Sequence, residues 1–106
     1  MSKNSISNEN YYVVQGWMRT ELGLSGNALN IYAIIYGVSQ ISHQEFTGSI
    51  NYLCGWLGVS RPTVINTLKD LVAKGYLSKK STGINGVVYN RYTAIVPENA
   101  KHATEV

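Results

Sequence analysis

The 106 residues are 44% hydrophobic and 14% charged, enough apolar material for one folded domain and too little charge for wholesale disorder. The only cysteine, Cys54, excludes an intramolecular disulfide framework, which makes a reducing compartment the simpler setting. No window approaches the roughly 18 apolar residues of a membrane span, and the opening MSKNSISNEN has no apolar stretch for a secretory signal.

Residues 1–10 are polar, rich in Asn and Ser, and aperiodic, the character of a disordered arm. Residues 11–14 are aromatic and β-branched, fit for a short extended segment. Residues 15–22 predict a short helix with Trp17, Met18 and Leu22 apolar, stopped by Gly23. Ser25 then stands as N-cap of a longer helix reaching about Gln40. Its apolar residues, among them Ala28, Leu29, Tyr32, Ile35 and Val38, cover most of the circumference. Such a helix must be covered on several sides, by the N-terminal segment, by later helices or by a second protomer. Residues 41–45 form a polar connector, and its His43 has no partner at metal-ligand spacing, so no metal or other cofactor is expected. Phe46-Thr47-Gly48 can lay an extended residue or two against a later hairpin.

Ser49 caps the next helix, whose apolar residues are Ile50, Leu53, Cys54 and Leu57. Gly58-Val59-Ser60 supplies a turn and a second capping hydroxyl. The helix that follows repeats its apolar residues at Val64, Leu68, Leu71 and Val72, and Gly75 ends it. Two short helices joined by a Gly-containing turn of about three to four residues form the helix-turn-helix pattern. Residues 77–82 predict a strand carrying Lys79 and Lys80, and Gly83-Ile84-Asn85-Gly86 is turn chemistry. Residues 87–96, β-branched and aromatic, should return antiparallel until Pro97 closes the hairpin. Residues 97–106 read as a flexible tail.

Helix, short strand, helix, turn, helix and hairpin is the order of a winged helix-turn-helix. The expected fold is therefore α+β and mainly α, spanning residues 11–96. It has a three-helix core, a C-terminal β-hairpin wing and a short N-terminal helical or extended extension. With Val64 at the centre of the buried face, Leu68 and Leu71 lie within about 40° of it. Pro62, Asn66, Lys69, Asp70 and Ala73 then face outward, with Thr63 and Thr67 on one flank. Charge is collected on the same unit: residues 49–96 hold six basic residues against Asp70 alone, a net +5, whereas the rest of the chain is net −2. That asymmetry is the footprint of a phosphate-binding surface. Arginine can pair with guanine or phosphate, asparagine with adenine, and threonine with phosphate or a thymine methyl.

The run Phe46, Gly48, Ser49, Leu53, Trp56-Leu57-Gly58-Val59-Ser60, Thr63-Val64, Leu68, Leu71 and Lys74-Gly75-Tyr76-Leu77 resembles the winged-helix domains of bacterial and phage DNA-binding proteins. Upstream, Leu22-Gly23-Leu24-Ser25-Gly26-Asn27 followed by Ile31-Tyr32-Ala33-Ile34-Ile35-Tyr36-Gly37 is more particular. It is similar to the N-terminal domains of replication-initiation and replisome-organiser proteins of phages and plasmids of Gram-positive bacteria. The resemblance covers residues 12–95 and implies a recognition helix at residues 60–74. By position it implies DNA contacts from Ser60, Arg61, Thr63, Asn66 and Thr67, and wing contacts from Lys79, Lys80 and the loop to Asn85; Lys69, on the outer face, completes the candidate set. Two departures stand out. The helix is only mildly basic and carries Asp70, and the second domain usual in such replication proteins is not in this sequence.

These features point to a double-stranded DNA binder in replication initiation or transcription regulation, cytoplasmic and nucleoid-associated when bound. No small-molecule substrate and no membrane partner is expected, and the apolar helix at residues 25–40 leans toward a homodimer. The alternative is a winged helix used for protein–protein assembly, with exposed aromatics around Tyr52 and Trp56. An enzyme is not expected. There is no phosphate-cradling loop ending in Lys-Ser/Thr, no credible nucleophile–histidine set, and the few carboxylates are scattered.

Overall fold

The computed structural model describes residues 10–96; all but the last residue of the arm expected at 1–10, and the tail expected at 97–106, lie outside the described residues. Residues 10–15 form neither helix nor ladder and are held by Tyr12. Its hydroxyl donates to Asn30 Oδ1 at 2.9 Å, and its ring meets Trp56 edge-on at 5.0 Å. Helix α1, Gly16–Thr20, buries Trp17 and Met18 and ends in a turn that Gly23 closes at φ +71.

Helix α2, Gly26–Tyr36, buries every side chain from Ile31 to Tyr36. Ser25 occupies the N-cap position, but its hydroxyl makes no cap hydrogen bond, contrary to expectation. A left-handed step at Gly26, φ +57, intervenes between that hydroxyl and the amides of the first turn. The helix does run on past Tyr36, but as a π-helical segment, Gly37–Ile41. There the Ser39 hydroxyl donates to Ile35 O at 2.8 Å and accepts from Ala94 N at 3.0 Å, so the widened turn fastens α2 to the hairpin. The cover for α2 comes from α1, α4 and the hairpin of the same chain. Residues 31–36 of this helix are thus buried within the chain itself, while residues 27–30 stay half-exposed.

Helix α3, Ile50–Leu57, starts where the sequence places it: Ser49 Oγ accepts from Tyr52 N at 3.0 Å. Gly58 ends it at φ +67, a conformation that costs a glycine little. Helix α4, Arg61–Ala73, packs Val64, Leu68 and Leu71 inward. Ser60 precedes it, yet its hydroxyl pairs with the Thr63 hydroxyl at 3.0 Å rather than with a backbone amide. The expected cap is thus replaced by a side-chain pair. At the other end Gly75 N bonds Val72 O and Tyr76 N bonds Leu71 O, the paired closure of a Schellman motif, with Gly75 at φ +83.

Strands β1, Leu77–Ile84, and β2, Val87–Ala94, pair antiparallel from Leu77↔Ala94 to Ile84↔Val87. The turn is two residues, Asn85 and Gly86, both at positive φ, which matches the twist of the flanking strands. Gly83 and Ile84 therefore belong to the strand, and β2 stops at Ala94. Phe46 bridges Tyr92 on the outer edge of β2, with N–O distances of 2.8 and 3.0 Å, as the short extended run suggested.

The hairpin root is bonded into the helices. Tyr32 donates its hydroxyl to Ile95 O at 2.8 Å, Gln40 donates to Ala94 O at 2.8 Å, and Ile95 N donates to Tyr76 O at 2.9 Å. Tyr32 is also the hub of an aromatic cluster, edge-on to Trp17 and Tyr76 and stacked on Tyr36. A second aromatic chain links Tyr12, Trp56, Tyr52 and Phe46. Tyr52 and Trp56 are consequently half-buried, not the exposed aromatics anticipated. Helices followed by an antiparallel hairpin around this core make the α+β winged helix-turn-helix that the sequence predicts.

Candidate nucleic-acid interface

The turn at Gly58 and the buried stripe of α4 fix which side of that helix meets solvent. Ser60, Arg61, Asn66 and Lys69 are exposed, and Thr63 and Thr67 are half-exposed on the flank. Their chemistry is not uniform. The Ser60 and Thr63 hydroxyls are paired with each other, and Thr67 Oγ1 donates back to Thr63 O at 2.7 Å. Arg61 Nη1 donates to Asn51 Oδ1 at 2.6 Å, so α3 holds the guanidinium at the front of α4. Asn66 and Lys69 make no hydrogen bond or ion pair among the described residues. Asp70 pairs with Lys74 at 3.0 Å, which offsets the unfavourable carboxylate and also occupies one cation.

The two wing lysines go to different places, because successive strand residues point to opposite faces. Lys79 shares a face with Leu77 and Tyr92 and lines, with Lys69 and Ala73, a cleft of about 190 Å³ between α4 and β1. Lys80 lies on the other face beside Arg91. There Glu45 serves both cations, at 3.7 Å from Lys80 Nζ and 3.1 Å from Arg91 Nη1, while Arg91 Nη2 also donates to Thr82 Oγ1 at 2.9 Å. Asn85 sits at the exposed tip, far along the ribbon from both lysines. The tip itself is apolar, with Ile84, Val87, Val88 and Tyr89 all at least half exposed. The wing's cations thus sit at its root, where one carboxylate, Glu45, engages two of them.

A family model described as a helix-turn-helix domain matches residues 22–77. The chain belongs to the helix-turn-helix domain family. The match takes in α2, the bridge residue Phe46, α3, the Gly58 turn and α4, and stops where β1 begins. In this motif the second helix is the one placed in the DNA major groove, and here that helix is α4. No curated protein matches the chain. No helix among the described residues is long and apolar enough to cross a membrane.

The sequence did not single out Asn51 or Glu45 as parts of this surface, and Arg91 entered only through the net charge of residues 49–96. Asn51 had a usable signal, since it is a polar residue outside the apolar positions of α3, in its first turn. The pairing of Glu45 with Arg91 had none, the two being 46 residues apart in sequence.

Proposed function

We propose that this domain binds double-stranded DNA, with α4 in the major groove and the hairpin root against the flanking backbone. The observation carrying the reading is the sided α4: Val64, Leu68 and Leu71 are buried while Arg61, Asn66 and Lys69 are exposed on its outer side. In this reading Arg61 takes a guanine edge or a phosphate, and Asn66 takes adenine. Thr63 and Thr67 present methyls to thymine. Ser60 and the first amides of α4 meet a phosphate. Lys69 and Lys79 reach phosphates from the cleft they share, Lys80 does so from the opposite face of the wing, and Asn85 meets the backbone or minor groove at the tip.

The resemblance of residues 22–37 to phage and plasmid replication proteins favours replication initiation as the process, with transcription regulation as the other use of the same contacts. One observation favours the assembly reading: Tyr11, Val13 and Ile41, exposed by 82%, 54% and 59%, rim a groove of about 350 Å³ between the N-terminal segment and α2.

Duplex affinity measured against salt, together with selection of bound duplexes from a random pool, tests the proposal. A DNA binder should weaken steeply as salt rises, because phosphate counterions are released on binding. Failure to bind duplex at low salt would favour assembly instead. Glu45→Gln gives a second expected outcome, since it releases Lys80 and Arg91 from their shared carboxylate. Affinity for arbitrary duplexes should rise, and the slope of log K against log salt should steepen by about one to two. An unchanged slope would mean that neither cation reaches phosphate.

A further inference from the structure

The apolar side chains around the hairpin tip, Ile84, Val87, Val88 and Tyr89, have no role in the contacts above. Beyond the pair Lys79↔Tyr92, the last to contribute a buried side chain at the far end of the core, the ribbon continues for five more residue pairs. At 3.3 Å per residue that is a projection of roughly 16 Å. Ile84, Val87 and Tyr89 share one face of its end, and Val88 lies on the other, each exposed by 51–66%. No acidic residue occurs between Leu77 and Ala94, whereas Lys79, Lys80 and Arg91 stand at the root on both faces.

We propose that the tip is a wedge: Ile84, Val87 and Tyr89 enter the DNA minor groove, partly unstack a base step and bend the duplex. This rests on the DNA-binding reading and adds a contact that reads deformability rather than base edges. Aliphatic side chains offer no donor or acceptor for a base, but they can displace stacked neighbours, as apolar wedges of minor-groove proteins do. The charge arrangement fits this occupant. Lys80 lies four residues back from Ile84, roughly 13 Å, so its side chain reaches the phosphate walls of a groove about 7.5 Å deep. A second copy of the chain fits less well, because four half-exposed side chains at a ribbon end bury far less than the roughly 1,200–2,000 Å² of a stable protein–protein interface.

The test is the double variant Ile84→Ser, Val87→Ser, whose altered side chains are exposed and outside the core. The probe is a duplex of about 30 base pairs recovered from random-pool selection, or one of mixed sequence if nothing is enriched. It carries end dyes to report bending and 2-aminopurine at successive steps to report unstacking. The wild-type chain should shorten the dye distance and brighten one 2-aminopurine step. The variant should lose both signals and bind about tenfold more weakly, with an unchanged salt slope because every cation is kept. Two results would overturn the wedge. One is a duplex left straight and stacked by a wild-type chain that binds it, and the other is a variant that bends it equally well. If the variant instead lost self-association or binding to anionic phosphatidylserine vesicles while bending DNA normally, the tip would belong to that other surface. Absence of wild-type duplex binding at low salt would bring down the DNA reading itself, a result distinct from a bound but unbent duplex.

Discussion

Alanine at Arg61 or at Asn66 is expected to cost about 1–3 kcal/mol of affinity on a selected duplex, roughly 5- to 150-fold, and to relax base preference at the position each contacts. Both side chains are exposed, so folding stability should stay within about 0.5 kcal/mol of wild type. The two losses should differ in character. Arg61 is a cation held by Asn51 from α3, so its removal should also flatten the salt slope. Asn66 is neutral and makes no bond among the described residues, so its loss should be visible only as lost discrimination. Asn51→Ala should reproduce part of the Arg61 defect by unfastening the guanidinium. Binding isotherms for the selected and scrambled duplexes at two salt concentrations measure all three. Unchanged binding by both Arg61→Ala and Asn66→Ala would remove α4 from the groove.

Tyr32→Ala should be the most damaging single change to stability, costing roughly 3–5 kcal/mol by the precedent of buried aromatic truncations. Tyr32 is fully buried and touches the rings of Trp17, Tyr36 and Tyr76, while its hydroxyl holds the chain just past β2. One residue thereby joins α1, α2, the end of α4 and the wing. A domain of this size has only about 5–15 kcal/mol to lose, so urea denaturation should show a large drop in midpoint. Tyr32→Phe separates packing from bonding: it keeps the ring, strands Ile95 O and should cost about 0.5–1.5 kcal/mol.

The same residue sets an alkaline limit. Burial first, then the neighbouring Tyr36 and Tyr76, push the Tyr32 hydroxyl well above its usual value, and burial raises Tyr92 as well. The folded state therefore holds these protons more tightly than the unfolded chain. Stability should be independent of them below about pH 10 and should fall above it, by up to about 1.4 kcal/mol per pH unit for each group. Tyr32→Phe should show a shallower alkaline decline; an identical decline would mean that Tyr32 does not couple to folding.

Local signals carried most of the secondary structure. The three- and four-residue apolar spacing of α3 and α4 marks their buried faces, because a helix repeats every 3.6 residues wherever it sits. Gly58, Gly75 and the Asn85-Gly86 turn are legible because positive φ is costly for most other residues. Ser49 caps as expected, but Ser25 and Ser60 do not. A serine before a helix is permissive, and a left-handed glycine or a nearby hydroxyl can claim its geometry.

The order of elements, the inward stripe of α4 and the concentration of positive charge in residues 49–96 are legible in the sequence alone. Those follow from nearest-neighbour conformational preference and from composition, which need no partner across the fold. The tertiary structure alone decided that α2 is covered by its own chain, that Lys79 faces α4 while Lys80 faces Glu45, and that the wing's projecting end is apolar. Each of these depends on which distant segment packs alongside, Glu45 beside Arg91 or Tyr32 beneath Ile95. Alternation along a strand says only that neighbours point opposite ways; packing on the helices chooses which of them reaches the α4 surface.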